Sequence, residues 1–226
     1  MLIGILQCGH FPEELQDGVG DYGEIYQRLL SNRGYDFAVY PVVDGIFPDG
    51  PTACDAWLIS GSKFGAYEDL PWIPPLEDLI RAIHTSKRPL VGICFGHQII
   101  AQALGGKVDK FTGGWGIGRQ TYHFDQGDLA LNAWHQDQIV ALPPEARVVG
   151  SSASCQFAAL AYGDHVLTMQ PHPEFGAPEM GGLLRLKGQD VLDPIALSKA
   201  QADLAVPVDN PLAAEKIAKF FEKVLA

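Results

Sequence analysis

The chain has 226 residues, 47% hydrophobic and 19% charged, with a formal net charge of −11. This length and composition are ordinary for a globular protein and suffice for one α/β domain with a full core. The acidic balance disfavours nucleic acid and anionic membranes as partners, since both call for basic patches, and no apolar run approaches the length of a membrane span.

Residues 1–6 read as a strand rather than a signal peptide, because a basic n-region and a small-residue cleavage site are lacking. The first strand is expected at 2–7, followed by a loop over 9–20 rich in Pro, Glu and Asp. A helix is expected at 22–32, with Asp21 as N-cap and Gly34 as stop. A strand at 37–40 leads into a turn-rich connection over 41–54. The next strand is Ala56–Ile59, running into Ser60-Gly61-Ser62-Lys63. A helix at 72–85 precedes the apolar strand Leu90–Ile93 and a further helix to Leu104, which Gly105-Gly106 ends. Strands then follow at 120–124, 147–151, 157–162 and Val166–Met169, the last two joined by the hairpin signal Gly163-Asp164. Helices dominate from Pro178 onward, punctuated by Pro207 and Pro211. The β-α-β-α-β opening predicts an α/β fold with an open, mostly parallel sheet flanked by helices and right-handed crossovers. With no internal repeat or long linker, residues 1–226 are expected to form a single domain with a helical C-terminal extension from about 178.

Two segments carry chemistry. Gly92-Ile93-Cys94-Phe95-Gly96 lies between the apolar strand and the helix that begins at His97-Gln98-Ile99-Ile100. It is a thiol version of the G-x-S-x-G elbow, in which glycines make room for a tight turn and the helix N-terminus favours a thiolate. Residues 165–175 end an apolar strand in Pro171-His172-Pro173-Glu174-Phe175. His172 suits a general base and acid, and Glu174 is near enough to orient its ring. The two prolines keep the segment extended.

An elbow cysteine followed by a strand-end His-x-Glu resembles the class I (triad) glutamine amidotransferase family, from residue 1 to about Phe175. The resemblance implies a flavodoxin-like class I glutamine amidotransferase fold and a Cys94–His172–Glu174 triad. Ser60-Gly61-Ser62-Lys63 stands where the family usually has Gly-Gly-Pro. By register, the Ser62 amide and that of Phe95 would form the oxyanion hole, with Gly61 among the substrate-binding positions. Gln98, one helical turn after Cys94, would hold the substrate's α-amino and α-carboxyl end. Trp134-His135-Gln136-Asp137 would supply a second pocket element, with His135 as a pocket or helix-cap residue. Ser62 and Gln136 both replace glycines of the family pattern, so the expectation is a substrate other than free glutamine, or a site that tightens around glutamine only when a partner binds. Gly20-Asp21-Tyr22, the Ser-Gly-Ser-Lys loop and Gly113-Gly114-Trp115 look like the stand-alone, GMP-synthase-like branch, which is also similar to γ-glutamyl peptidases.

The remaining motifs are weaker. Gly113 to Gly118 lacks the tail of a P-loop and reads as a backbone-lined wall of the pocket. His97 reads as structural. Cysteines at 8, 54, 94 and 155 have no C-x-x-C spacing, so a structural zinc site is not expected; no cofactor and no other metal is expected either. A reduced, cytoplasmic setting fits a thiol nucleophile. The leading expectation is a stand-alone class I amidotransferase domain acting on glutamine or a γ-glutamyl compound, with a separate acceptor or synthetase subunit left open as partner. The alternatives are a γ-glutamyl peptidase without ammonia transfer and a non-catalytic binding module of the same fold.

Overall fold

A computed structural model of the chain describes residues 1–225. In chain order its elements are β1 (Leu2–Leu6), α1 (Glu13–Val19), α2 (Tyr22–Leu29), β2 (Asp36–Tyr40), β3 (Ala56–Ile59), α3 (Ile73–Thr85), β4 (Leu90–Ile93), α4 (Phe95–Ala103), β5 (Lys107–Lys110), β6 (Gly116–Phe124), β7 (Gly127–His135), β8 (Asp137–Ala141), β9 (Ala146–Ser151), β10 (Ala159–Tyr162), β11 (Val166–Met169), α5 (Ala177–Val191), α6 (Pro194–Asp203) and α7 (Asn210–Leu225).

The main sheet has nine strands in the order β2-β1-β3-β4-β11-β10-β9-β6-β7. From β2 to β11 every pairing is parallel, and from β11 to β7 every pairing is antiparallel. β3 and β4 are buried along their whole length, as central strands covered on both faces must be. Their side chains alternate between two cores. Trp57, Ile59 and Leu90 pack with Leu76, Ile80 and Ile83 of α3 and Ile99 and Ile100 of α4. Leu58, Val91 and Ile93 pack on the other face with Ile25 and Tyr26 of α2 and Ile217 and Phe221 of α7. The parallel strands all open toward the same edge, so Cys8, Ser60, Cys94 and Gln170 gather there, where such sheets bind ligands.

Several boundaries differ from expectation. Residues 9–20 contain α1, which starts after Pro12 with Glu13 and Glu14 in its first turn and buries no residue. β5, β7 and β8 were not expected at all, and β6 begins at Gly116 rather than 120. The α2 helix stops at Leu29, while Asp21 does cap it, in a capping box with Glu24. Tyr162 pairs with Val166, so the β10–β11 turn has three residues rather than the two expected.

Candidate active site

Cys94 occupies the turn between β4 and α4 with φ 52° and ψ −104°, a conformation in which an L-residue is strained. The flanking glycines are required by space. A Cβ on Gly92 would lie 2.6 Å from the Gly96 carbonyl oxygen, and one on Gly96 would lie 2.4 Å from that of Ile59. Hydrogen bonds lock the turn on both sides. Cys94 N–H donates to Met169 O (2.9 Å) at the end of β11, and Gly96 N–H donates to Ser60 O (3.1 Å) beyond β3.

The chain leaving β11 places His172 beside this turn. His172 N–H donates to Asn132 O of β7 (2.8 Å), and Asn132 Nδ2 donates to Phe175 O (2.8 Å). The Phe175 ring lies parallel to the imidazole, with centroids 4.1 Å apart and 4° between planes. Nδ1–H donates to Glu174 Oε1 (2.7 Å). Ring plane and tautomer are thus both fixed, with Nε2 as the free nitrogen. Nε2 has no well-aligned hydrogen-bond partner, yet Cys94 is close enough to act on the titration of the ring. Burial pulls the His172 pKa down, but the charges of Cys94 and Glu174 outweigh it and push the value up to about 10.

Cys94 and His172 line a cleft of about 650 Å³, together with Ser62 and Trp134. Its rim comes from His10–Glu14 and Gln16 on one side, Leu183, Leu186 and Lys187 of α5 on another, and Lys63. His10 is held between Asp21 (2.6 Å) and Asp44 (3.0 Å), and the Asp21 hydrogen bond raises its pKa. A second hollow of about 370 Å³, between β9–β11 and α7, contains none of these groups. Among the described residues, no group of three or more His, Cys, Asp or Glu side chains is arranged to hold a metal ion.

The other expected site residues fall into two sets. Phe95 opens α4, so its N–H is one of the helix's unpaired donors, and its ring is buried against Trp72. Gly61 abuts the imidazole, since a Cβ there would lie 3.2 Å from His172 Cε1. Ser62 lines the cleft, but its hydroxyl donates to Cys8 O (2.7 Å) and accepts from Phe64 N–H (3.2 Å). That side chain is therefore engaged with backbone. Gln98, His135 and Gln136 do not line the cleft. Gln98 is buried, and its Nε2 donates to Asp137 O (2.8 Å) and Gln170 Oε1 (3.1 Å). Gln136 lies in the bend between β7 and β8, where its carbonyl accepts from Phe111 N–H (3.1 Å). His135 ends a strand rather than capping a helix. It is buried against Gly116, and burial lowers its pKa to about 3.

The glycine cluster forms the start of β6 behind this strand end, with Trp115 against Trp134 (6.3 Å between centroids), and does not itself line the cleft. His97 is structural: Nε2–H donates to Phe157 O (2.9 Å), Nδ1 accepts from the Thr168 hydroxyl (2.7 Å), and burial lowers its pKa to about 3. Cys8 is buried with its thiol pushed well up, and burial likewise raises Cys54 and takes Cys155 to about 12.

Sequence reading missed Tyr26, whose hydroxyl donates to Glu174 Oε1 (2.8 Å), and Asn132, which anchors the His172 segment. Neither residue carries a local signal. The α1 rim did carry one, since a proline followed by two glutamates is a helix-start signature.

Comparison with known proteins bears on the family and the fold. The family model described as glutamine amidotransferase class-I matches residues 17–185. γ-Glutamyl peptidase 3 of Arabidopsis thaliana is 28% identical over 222 residues, covering 90% of this chain and 89% of that one. A glutamine-hydrolysing GMP synthase of Thermotoga maritima is 31% identical over 174 residues, covering 72% of this chain but only 33% of that one. The crystal structure of a glutamine amidotransferase from Methylobacillus flagellatus superposes with a TM-score of 0.78 at 22% identity, covering 100% of this chain and 95% of that one. The parallel sheet with its strand-end elbow and the match over most of the chain lead to one conclusion: the protein belongs to the class I glutamine amidotransferase family.

Proposed function

We propose that the protein hydrolyses the γ-amide bond of glutamine or a γ-glutamyl compound through Cys94, His172 and Glu174. The observation that carries this reading is the convergence of a strained elbow cysteine and a carboxylate-held, stacked histidine on one cleft. His172 Nε2 holds the proton of Cys94, and the thiolate attacks the γ-carbonyl carbon. The Ser62 and Phe95 amides would face the oxyanion that forms. His172 then gives its proton to the departing nitrogen, and ammonia or an amine leaves. Water, deprotonated by His172, attacks the γ-glutamyl thioester and frees glutamate and the thiol. Glu174 keeps Nδ1 protonated and balances the imidazolium.

The cleft has room for a γ-glutamyl compound larger than free glutamine. Glutamine has ten heavy atoms, whereas a site of this volume falls in the range of about 300–1,000 Å³ that accommodates drug-sized ligands. Similarity to a γ-glutamyl peptidase over 90% of this chain supports a γ-glutamyl compound as the substrate. A second reading, ammonia delivery to a separate synthetase subunit, draws on the match to part of a GMP synthase. Incubating the chain with glutamine and with a panel of γ-glutamyl peptides, while measuring ammonia and free amine, separates the two. Faster release of amine from peptides than of ammonia from glutamine is the expected result. No turnover of either class, with or without a synthetase, would overturn the proposal.

A further inference from the structure

We propose that Tyr26 is a positioning residue whose hydroxyl sets the oxyanion loop and the His172–Glu174 pair relative to each other. The inference rests on the hydrolase reading above and assigns a role to a residue that reading does not use. Tyr26 lies on α2, is fully buried, and stacks on Tyr22 (6.3 Å, 19°). Packing alone would be served by phenylalanine. The hydroxyl is engaged twice: it donates to Glu174 Oε1 (2.8 Å) and accepts from Gly61 N–H (3.3 Å). A backbone N–H can only donate and a carboxylate only accept, so both directions are fixed.

The two partners belong to different halves of the site. Glu174 Oε1 also receives His172 Nδ1–H (2.7 Å), while Glu174 Oε2 has no partner among the described residues. One oxygen therefore carries both the tyrosine and the histidine. On the other side, Gly61 is held at N–H by Tyr26 and at its carbonyl by the Ser60 hydroxyl (2.8 Å). That carbonyl belongs to the peptide group that carries the Ser62 N–H. The aim of the proposed oxyanion donor and the placement of the proposed base are thus referred to a single phenolic oxygen. The titratable groups facing it are Glu174 and, beyond it, His172 and Cys94, with Tyr22 on its own helix.

The test is Tyr26→Phe, which keeps the ring and removes the hydroxyl. It leaves Gly61 N–H unpaired and Glu174 Oε1 with one donor. We expect kcat on a γ-glutamyl peptide to fall about 10- to 100-fold, as small misplacements of reacting groups do, with KM changed less than about threefold. With one donor gone, more of the carboxylate charge falls on the imidazole. The upper midpoint of the pH profile of Cys94 alkylation by iodoacetamide should then rise by about half a unit or more. If Tyr26→Phe does not fold, 3-fluorotyrosine at position 26 strengthens the donor and should lower that midpoint. An unchanged kcat with an unchanged midpoint, or a loss of thermal stability alone, overturns the proposal. Failure of the wild-type chain to turn over any γ-glutamyl compound would count against the hydrolase reading instead, and the alkylation midpoint would still decide the role of Tyr26.

Discussion

Replacing Cys94 by alanine and by glycine separates the strain of the elbow from the loss of the sulfur. The backbone at Cys94, with φ 52° and ψ −104°, costs an L-residue about 2 kcal/mol that glycine escapes. Against this, glycine loses about 0.7 kcal/mol more backbone entropy than alanine on folding. It also forfeits about 0.8 kcal/mol for the buried methyl group, since Cys94 is only 5% exposed. The balance leaves Cys94→Gly about 0.5 kcal/mol more stable than Cys94→Ala. Without strain it would be about 1.5 kcal/mol less stable. The two cases differ by about 2 kcal/mol, or about 4–8 °C in Tm for a chain of this size. Thermal and urea unfolding of both variants is the assay, and both should be inactive. A glycine variant less stable than the alanine variant by more than about 1 kcal/mol would refute the claim that the fold stores strain at Cys94.

Two further outcomes follow from burial and charge. Iodoacetamide near neutral pH should modify Cys94 first, because only that sulfur opens on the cleft while Cys8, Cys54 and Cys155 are buried with raised pKa values; preferential labelling of Cys8 by peptide mass spectrometry would contradict this. The protein should lose stability in acid. His97 and His135 titrate at about 3 when folded and near 6.5 when unfolded, so the unfolded chain takes up protons first as pH falls through 6.5 toward 3. Each should cost about 2 kcal/mol at pH 5. His172 acts in the opposite direction: its contribution grows as pH falls through 6.5 and is lost as pH rises through about 10, so between pH 7 and pH 5 it offsets about 1 kcal/mol, a minor part of the acid loss. A urea midpoint unchanged between pH 7 and pH 5 would show that the two histidines are not held neutral.

What the sequence made legible was local. The elbow is a contiguous pentapeptide, and His172, Glu174 and the strand before them lie within a few residues of one another, so residue type and spacing were enough to single out both segments as candidates. The first half of the sheet was readable because β3 and β4 are short, wholly apolar runs. β7 was not, because it is buried almost continuously through Leu129–His135 and so lacks the alternation that marks a strand, and its Ala, Leu and Asn residues have little strand preference. Missing β7 also hid Asn132 and left His135 read as a pocket or helix-cap residue. α1 escaped because it buries no residue, leaving no apolar stripe to find. Gln98 was placed beside the substrate by its spacing of one helical turn from Cys94 and by the family resemblance; its amide is engaged with Asp137 and Gln170, partners far away in sequence that spacing does not reveal. Tyr26 could not be distinguished from any other core tyrosine until the fold brought Glu174 and Gly61 to its hydroxyl.

The central claim is that Cys94 becomes acylated by a γ-glutamyl group during turnover. Rapid acid quench of the wild-type chain with a γ-glutamyl peptide, followed by peptide mass spectrometry, tests it directly. The expected result is a γ-glutamyl adduct confined to the peptide containing Cys94, absent in Cys94→Ala together with all turnover. Steady hydrolysis with no adduct at Cys94, and the same rate in Cys94→Ala, would contradict the account.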